Sequence, residues 1–158
     1  MRWLLLALLI IGCLAVGALG GRWTGPAIPG WYRTIRKPSF NPPNWVFGPV
    51  WTTLYILMAV SAWLVAQSPD SPLRTLGLGL FVLQLAFNLA WSWIFFRKHA
   101  IGPAAIELLI LWCLIAATTL VFSRVSANAA WLMAPYWAWV TFASILNAAI
   151  WRLNPTAG

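Results

Sequence analysis

Acidic residues are nearly absent from this chain: Asp and Glu together number 2 in 158 residues, beside a single His. General acid and base catalysis needs positioned titrating groups, and the pool for it is Asp70, Glu107 and His99. Cysteine is as scarce, and Cys13 and Cys113 both lie inside long apolar runs, where they read as small hydrophobes. No His/Cys cluster with metal-ligand spacing occurs, so no metal site is assigned. Charged residues of both signs make up only 8% of the chain, too few to coat a water-facing surface. A soluble globular fold is excluded.

What fills the chain instead is apolar: 62% of residues are hydrophobic and the mean hydropathy is +0.82. Tryptophan is in excess, with 13 Trp against 3 Tyr and 8 Phe. Apolar runs predict spans over residues 3–20, 46–67, 76–96, 101–122 and 129–151, each close to the length of about 20 residues that a membrane helix needs. The expected fold is an all-α membrane protein, one domain over 1–158, built as a bundle of five transmembrane helices with a long Pro/Trp-rich first loop. The first run follows a lone Arg2 and reads equally as a secretory signal with a long apolar core.

The formal charge of +8 comes from Lys and Arg at the ends of the runs. Arg22, Arg33, Arg36, Lys37, Arg97, Lys98 and Arg152 fall on one side of a five-span chain, against Arg2, Arg74 and Arg124 on the other. The positive-inside rule then places the first loop and the C-terminus in the cytoplasm and the N-terminus outside. Basic character of this kind is a topology signal, and no nucleic-acid partner is expected.

Between Gly20 and Val50 lie Pro26, Pro29, Pro38, Pro42, Pro43 and Pro49, together with Trp23, Trp31, Tyr32, Phe40, Trp45 and Phe47. Proline fixes φ and restricts its predecessor, so the stretch is expected to be stiff and mostly non-helical. Its rings suit an interfacial aromatic belt or a folded lid over one mouth of the bundle. On the third span Gln84, Asn88, Trp91 and Phe95 follow steps of 4, 3 and 4 and share one face. Amides in a bilayer face either a neighbouring helix or a cavity. Pro135, Trp139, Ala143 and Asn147 repeat every 4 residues on the fifth span, with Ala143 as a notch, and Trp51, Tyr55 and Met58 stand at helical spacing on the second. Three helices contributing rings and amides, with almost no acid or base, favour a cavity for a flat, mostly apolar molecule.

Ordered blocks run through the same residues: Trp31-Tyr32, Lys37-Pro38, Asn41-Pro42-Pro43, Trp45-Val46-Phe47, Pro49-Val50-Trp51-Thr52 and Leu54-Tyr55. They continue with Gln84-Leu85-Ala86-Phe87-Asn88, Trp91-Ser92, Phe95-Phe96, Pro135-Tyr136, Trp139 and Leu146-Asn147. Through them the sequence resembles the tryptophan-rich sensory proteins of the TspO/MBR family, also called translocator proteins or peripheral-type benzodiazepine receptors. The resemblance implies a five-helix membrane bundle rather than a cleaved signal followed by four spans. It also implies a homodimer, and binding of porphyrins and of isoquinoline or benzodiazepine-type compounds. By position, the ligand-binding residues would be Tyr32, Trp51, Tyr55, Asn88, Trp91, Trp139 and Ala143, with Gln84 as a further candidate. A porphyrin or haem would be a ligand, with no cofactor required. The family's sterol segment is incomplete, since Ala148 stands where the motif has Tyr, which argues against cholesterol as a partner. Phe40 stands where the family often has Trp.

The functional expectation is an integral tetrapyrrole-binding protein of a bacterial cell membrane, acting as sensor, regulator or carrier. In one variant Trp51 and Trp139 take part in light- and oxygen-dependent porphyrin breakdown, which would make the protein an enzyme. The alternative is a small proton-coupled exporter of aromatic cations that uses Glu107, an ionisable group one turn into the fourth span. Asp70, in a Ser/Pro turn, and His99, beside Arg97 and Lys98, read as loop residues. Small residues on the third span, Gly77, Gly79, Ala86 and Ala90, are the faint signal for dimerisation.

Overall fold

A computed structural model describes residues 2–155; residue 1 and residues 156–158 of the expected domain lie outside the described residues. The chain forms α1 (Arg2–Ala27), a short α2 (Trp31–Thr34), α3 (Asn44–Ala66), α4 (Pro72–Ser92), α5 (Ile101–Val125) and α6 (Ala127–Leu153). A π-helical turn over Trp93–Arg97 continues α4. Five of these helices, with α4 and its turn taken together, are long and apolar enough to cross a membrane, and no strand occurs among the described residues.

Most helices outrun the expected spans, for local reasons. The first was expected to stop at Gly20, yet α1 continues to Ala27. Pro26 sits in its last turn, where the missing N–H leaves only one carbonyl without a partner. Trp23 therefore belongs to a helix, and the connecting loop shortens to residues 28–43 around α2. Helix α4 begins at Pro72 because Ser71 caps it, its side chain accepting from the Arg74 N–H, with Pro in the first turn. Ser126 caps α6 in the same manner, accepting from the Ala129 N–H. Asp70 is a solvated loop residue that pairs with Arg74 one turn on.

The helices close into a ring in which α1 lies against α3 and α4, α3 against α6, and α5 between α4 and α6. Two apolar clusters fill it. The larger joins Leu54, Met58, Leu111, Ile115, Met133 and Tyr136 through the middle of the bundle. The smaller packs Tyr32 and Ile35 of the loop region against Phe95, Ile101, Leu146 and Ile150, fastening the loop to the ends of α4, α5 and α6. Outward faces carry Leu8, Val82, Leu109 and Leu120, exposed as a lipid-facing surface requires. Cys13 is buried and Cys113 is exposed on the outer face of α5.

Candidate functional site

Beneath the loop, the ring encloses a cavity of about 600 Å³, within the range of small-molecule sites. Tyr32, Trp51, Tyr55, Asn88, Trp91, Trp139 and Ala143 all line it. Each arrives from a different local cause. Trp51 and Tyr55 stand one turn apart on α3, with ring centroids 5.7 Å apart. Trp139 projects from α6 toward Phe47, with centroids 6.1 Å apart and planes at 73°, an edge-to-face arrangement that aromatic quadrupoles favour. Ala143, one turn on, leaves the adjacent wall shallow.

The inner wall is held by hydrogen bonds. The Tyr55 hydroxyl donates to Asn88 Oδ1 at 2.5 Å, Asn88 Nδ2 donates to the Tyr136 hydroxyl at 3.0 Å, and Tyr136 donates to Gln84 Oε1 at 2.8 Å. Gln84 Nε2 completes the chain at Met58 Sδ, 3.8 Å away. Trp91 Nε1 donates to Asn147 Oδ1 at 3.2 Å, and Asn147 Nδ2 donates to the Ile101 carbonyl at 3.0 Å. These bonds satisfy the buried polar groups that hydrocarbon would otherwise penalise. The indole N–H groups of Trp51 and Trp139 have no partner among the described residues and remain available to a guest.

The loop is fastened from several sides. The Tyr32 hydroxyl donates to Asn41 Oδ1 at 2.8 Å, and Lys37 Nζ lies 4.7 Å from the Tyr32 ring centroid. Burial pushes the Tyr32 hydroxyl up to about 12, with the Asn41 hydrogen bond acting the other way. Burial also lowers the Lys37 ammonium below its usual value. Lys37 is turned inward: its Nζ donates to the Tyr32 and Ile35 carbonyls at 2.6 and 2.9 Å, tying the loop to itself. His99 adopts a left-handed φ of 58°, a region His enters more readily than most residues, and its ring stacks on Trp31 at 4.3 Å.

The TspO/MBR family profile matches residues 9–152, and therefore all five long helices. The chain belongs to the TspO/MBR family. It is 42% identical over 153 residues to "Tryptophan-rich protein TspO" of Chlorobaculum tepidum, covering 96% of this chain and 97% of that one. It is 39% identical over 152 residues to "Protein CrtK" of Rhodobacter capsulatus, covering 96% and 93%. The human "Translocator protein" is 43% identical over 126 residues, covering 78% of this chain and 75% of its own.

Within this TspO/MBR bundle two sequence candidates stand apart from the cavity. Gln84 does not line it: the residue is fully buried one turn below Asn88, its amide committed to Tyr136 and Met58. Glu107 is also outside it, on the inward stripe of α5 with Ala104, Leu108 and Leu111, and neither carboxyl oxygen has a partner among the described residues. Residues absent from the site expected by sequence also line the cavity. Phe47, Phe95 and Asn147 do so from α3, the π-helical turn and α6, and Gly17, Gly20 and Gly21 from α1. Asn147 and Phe95 were legible in the amide and ring stripes; the α1 wall had only a repeat of glycine as its signal.

Proposed function

We propose that this TspO/MBR membrane protein binds a tetrapyrrole of the porphyrin or haem type in the cavity and acts as its sensor or carrier. The observation that carries the reading is the cavity lining: Trp51, Trp91 and Trp139 beside Tyr55, Asn88 and Asn147, with no carboxylate among the lining residues. Indole faces offer a flat macrocycle stacking area, and the unpartnered N–H groups of Trp51 and Trp139 offer it hydrogen bonds. Isoquinoline and benzodiazepine-type compounds, smaller and equally flat, would share the site. Exposed Arg33 and Arg36, in the loop over the cavity, suit the carboxylates of such a ligand.

The setting proposed for this activity is a bacterial cell membrane, with the N-terminus outside and the C-terminus cytoplasmic. A homodimer is proposed through the outward face of α4. Gly77 drops out of that face, because a Cβ there would stand 3.0 Å from the Phe122 ring of the same chain, whereas Gly79 and Ala86 are exposed. Titration with protoporphyrin IX, read by tryptophan quenching, tests the site. Replacing both Trp51 and Trp139 by Phe is expected to weaken binding by about tenfold or more, the equivalent of about 1.4 kcal/mol. Unchanged affinity in that double variant would place the ligand elsewhere.

A further inference from the structure

The walls of the cavity differ in how they meet the surroundings. Lining residues from α4, its π-helical turn, α6 and the loop are buried or half-buried, whereas every exposed lining residue belongs to α1 or α3. On α1 these are Ala18, Gly21 and Gly25; on α3 they are Trp45, Gly48 and Thr52, with Asn44 at the helix start. The two helices are neighbours, so these residues border one seam.

Away from the loop, that seam is shut. Arg2 Nε donates to Gln67 Oε1 at 2.9 Å, and Trp3 stacks on Trp63 at 5.6 Å. A Cβ on Gly17 would stand 2.6 Å from Tyr55 Cε2. One turn nearer the loop the contact ends: a Cβ at Gly21, Gly25 or Gly48 would meet nothing within 4 Å. Glycine in a membrane helix ordinarily permits close helix approach, and Gly17 serves that purpose. At Gly21, Gly25 and Gly48 no neighbour approaches, and the missing side chains leave a gap.

The gap suits hydrocarbon. Thr24 Oγ1 donates back to the Gly20 carbonyl at 3.1 Å and Thr52 Oγ1 to the Gly48 carbonyl at 2.9 Å, so both hydroxyls are spent on their own helices. An apolar guest crossing here strips no polar group of a partner. The loop side is fastened. Asn154 Oδ1 accepts from the Arg36 N–H at 2.9 Å while its Nδ2 donates to the Arg36 carbonyl at 2.8 Å, and Trp31 is stacked on His99.

We propose that the cavity exchanges its ligand sideways with the bilayer through the α1–α3 seam, and that Gly21, Gly25 and Gly48 keep this passage open. The partner it admits is a flat, membrane-dissolved ring compound. The proposal rests on the reading of the cavity as a ligand site. Its test therefore has an arm that does not need the ligand's identity.

In proteoliposomes, stopped-flow quenching by protoporphyrin IX measures association and dissociation. Gly21→Leu with Gly25→Leu fills the seam while improving helix propensity. Both rates are expected to fall by about tenfold or more, as for a barrier placed on the path of exchange. Asn154→Ala, which unpins the loop, is expected to leave both rates as they are. Unchanged rates in the seam variant, or faster exchange in Asn154→Ala alone, would overturn the route. The second arm uses a phospholipid with a photoreactive diazirine on its acyl chain. Labelling of Trp51 or Tyr55 in the wild type that is lost in the seam variant supports the passage even where protoporphyrin fails to bind, in which case the tetrapyrrole reading alone falls. No labelling of the cavity in the wild type would overturn the passage.

Discussion

Glycine on α1 shows how one residue type takes opposite roles within two turns. Gly17 faces a tyrosine that cannot retreat, because the Tyr55 hydroxyl is held on Asn88 Oδ1 at 2.5 Å. Gly17→Ala would put a methyl group 2.6 Å from that ring, and overpacking of this kind costs about 1–3 kcal/mol. Gly21→Ala adds the same methyl where nothing lies within 4 Å, and helix propensity then favours alanine by about 1 kcal/mol. Thermal unfolding in detergent micelles is expected to show a lower Tm for the first variant and an equal or higher one for the second. Equal effects of the two substitutions would mean that the α1–α3 contact does not change between these positions. Nothing in the composition separates the two glycines, since both stand in one apolar run. Only the partner across the interface tells them apart, and that partner is a tertiary fact.

The loop of residues 28–43 is the element whose chemistry titrates. Tyr32 is raised by burial from its usual 10.0 to about 12, so the folded protein holds that proton more firmly than the unfolded chain does. Its contribution to stability is complete below pH 10 and is lost as pH rises from 10 toward about 12. Lys37 has the opposite sign: its value is lowered from 10.5, so the unfolded chain binds more protons just below that value and stability rises with pH there. The tyrosinate absorbance lost in Tyr32→Phe, taken as a difference titration, is expected to have its midpoint near 12. The variant should also keep only the upward slope contributed by Lys37. A midpoint at the ordinary 10.0 would show that the loop does not bury this hydroxyl. Elements of this kind were partly legible. Proline and aromatic density marked a stiff segment. The extension of α1 through Pro26 and the turning of Lys37 onto loop carbonyls depend on packing that a run of residues does not display. Periodicity likewise placed Gln84 and Asn88 on one face but not at one depth. The two amides are one turn apart along α4, and only Asn88 reaches the cavity.

At the scale of the whole molecule, the helices separate the cations by end. Arg2 lies beside Gln67, and Arg74 donates to the Ala66 carbonyl at 2.9 Å, so these arginines mark the end opposite the loop. Arg33, Arg36 and Lys37 in the loop, Arg97 and Lys98 after α4, and Arg152 in the last turn of α6 gather at the other. In the orientation proposed from the excess of short-loop Lys and Arg, the loop and the open part of the α1–α3 seam next to it would lie in the inner leaflet. Single cysteines test this with a membrane-impermeant maleimide. Asp70→Cys, at a side chain 94% exposed, is expected to react in intact cells, and Ser39→Cys only after permeabilisation. Cys13 is buried and Cys113 lies on the lipid-facing side of α5, so neither should add signal in a bilayer. Labelling in the reverse order would turn the molecule over and move the seam to the outer leaflet. The direction matters for function, because a ligand that enters through hydrocarbon is drawn from whichever leaflet the seam meets. With the loop inside, that supply is the one loaded from the cytoplasm.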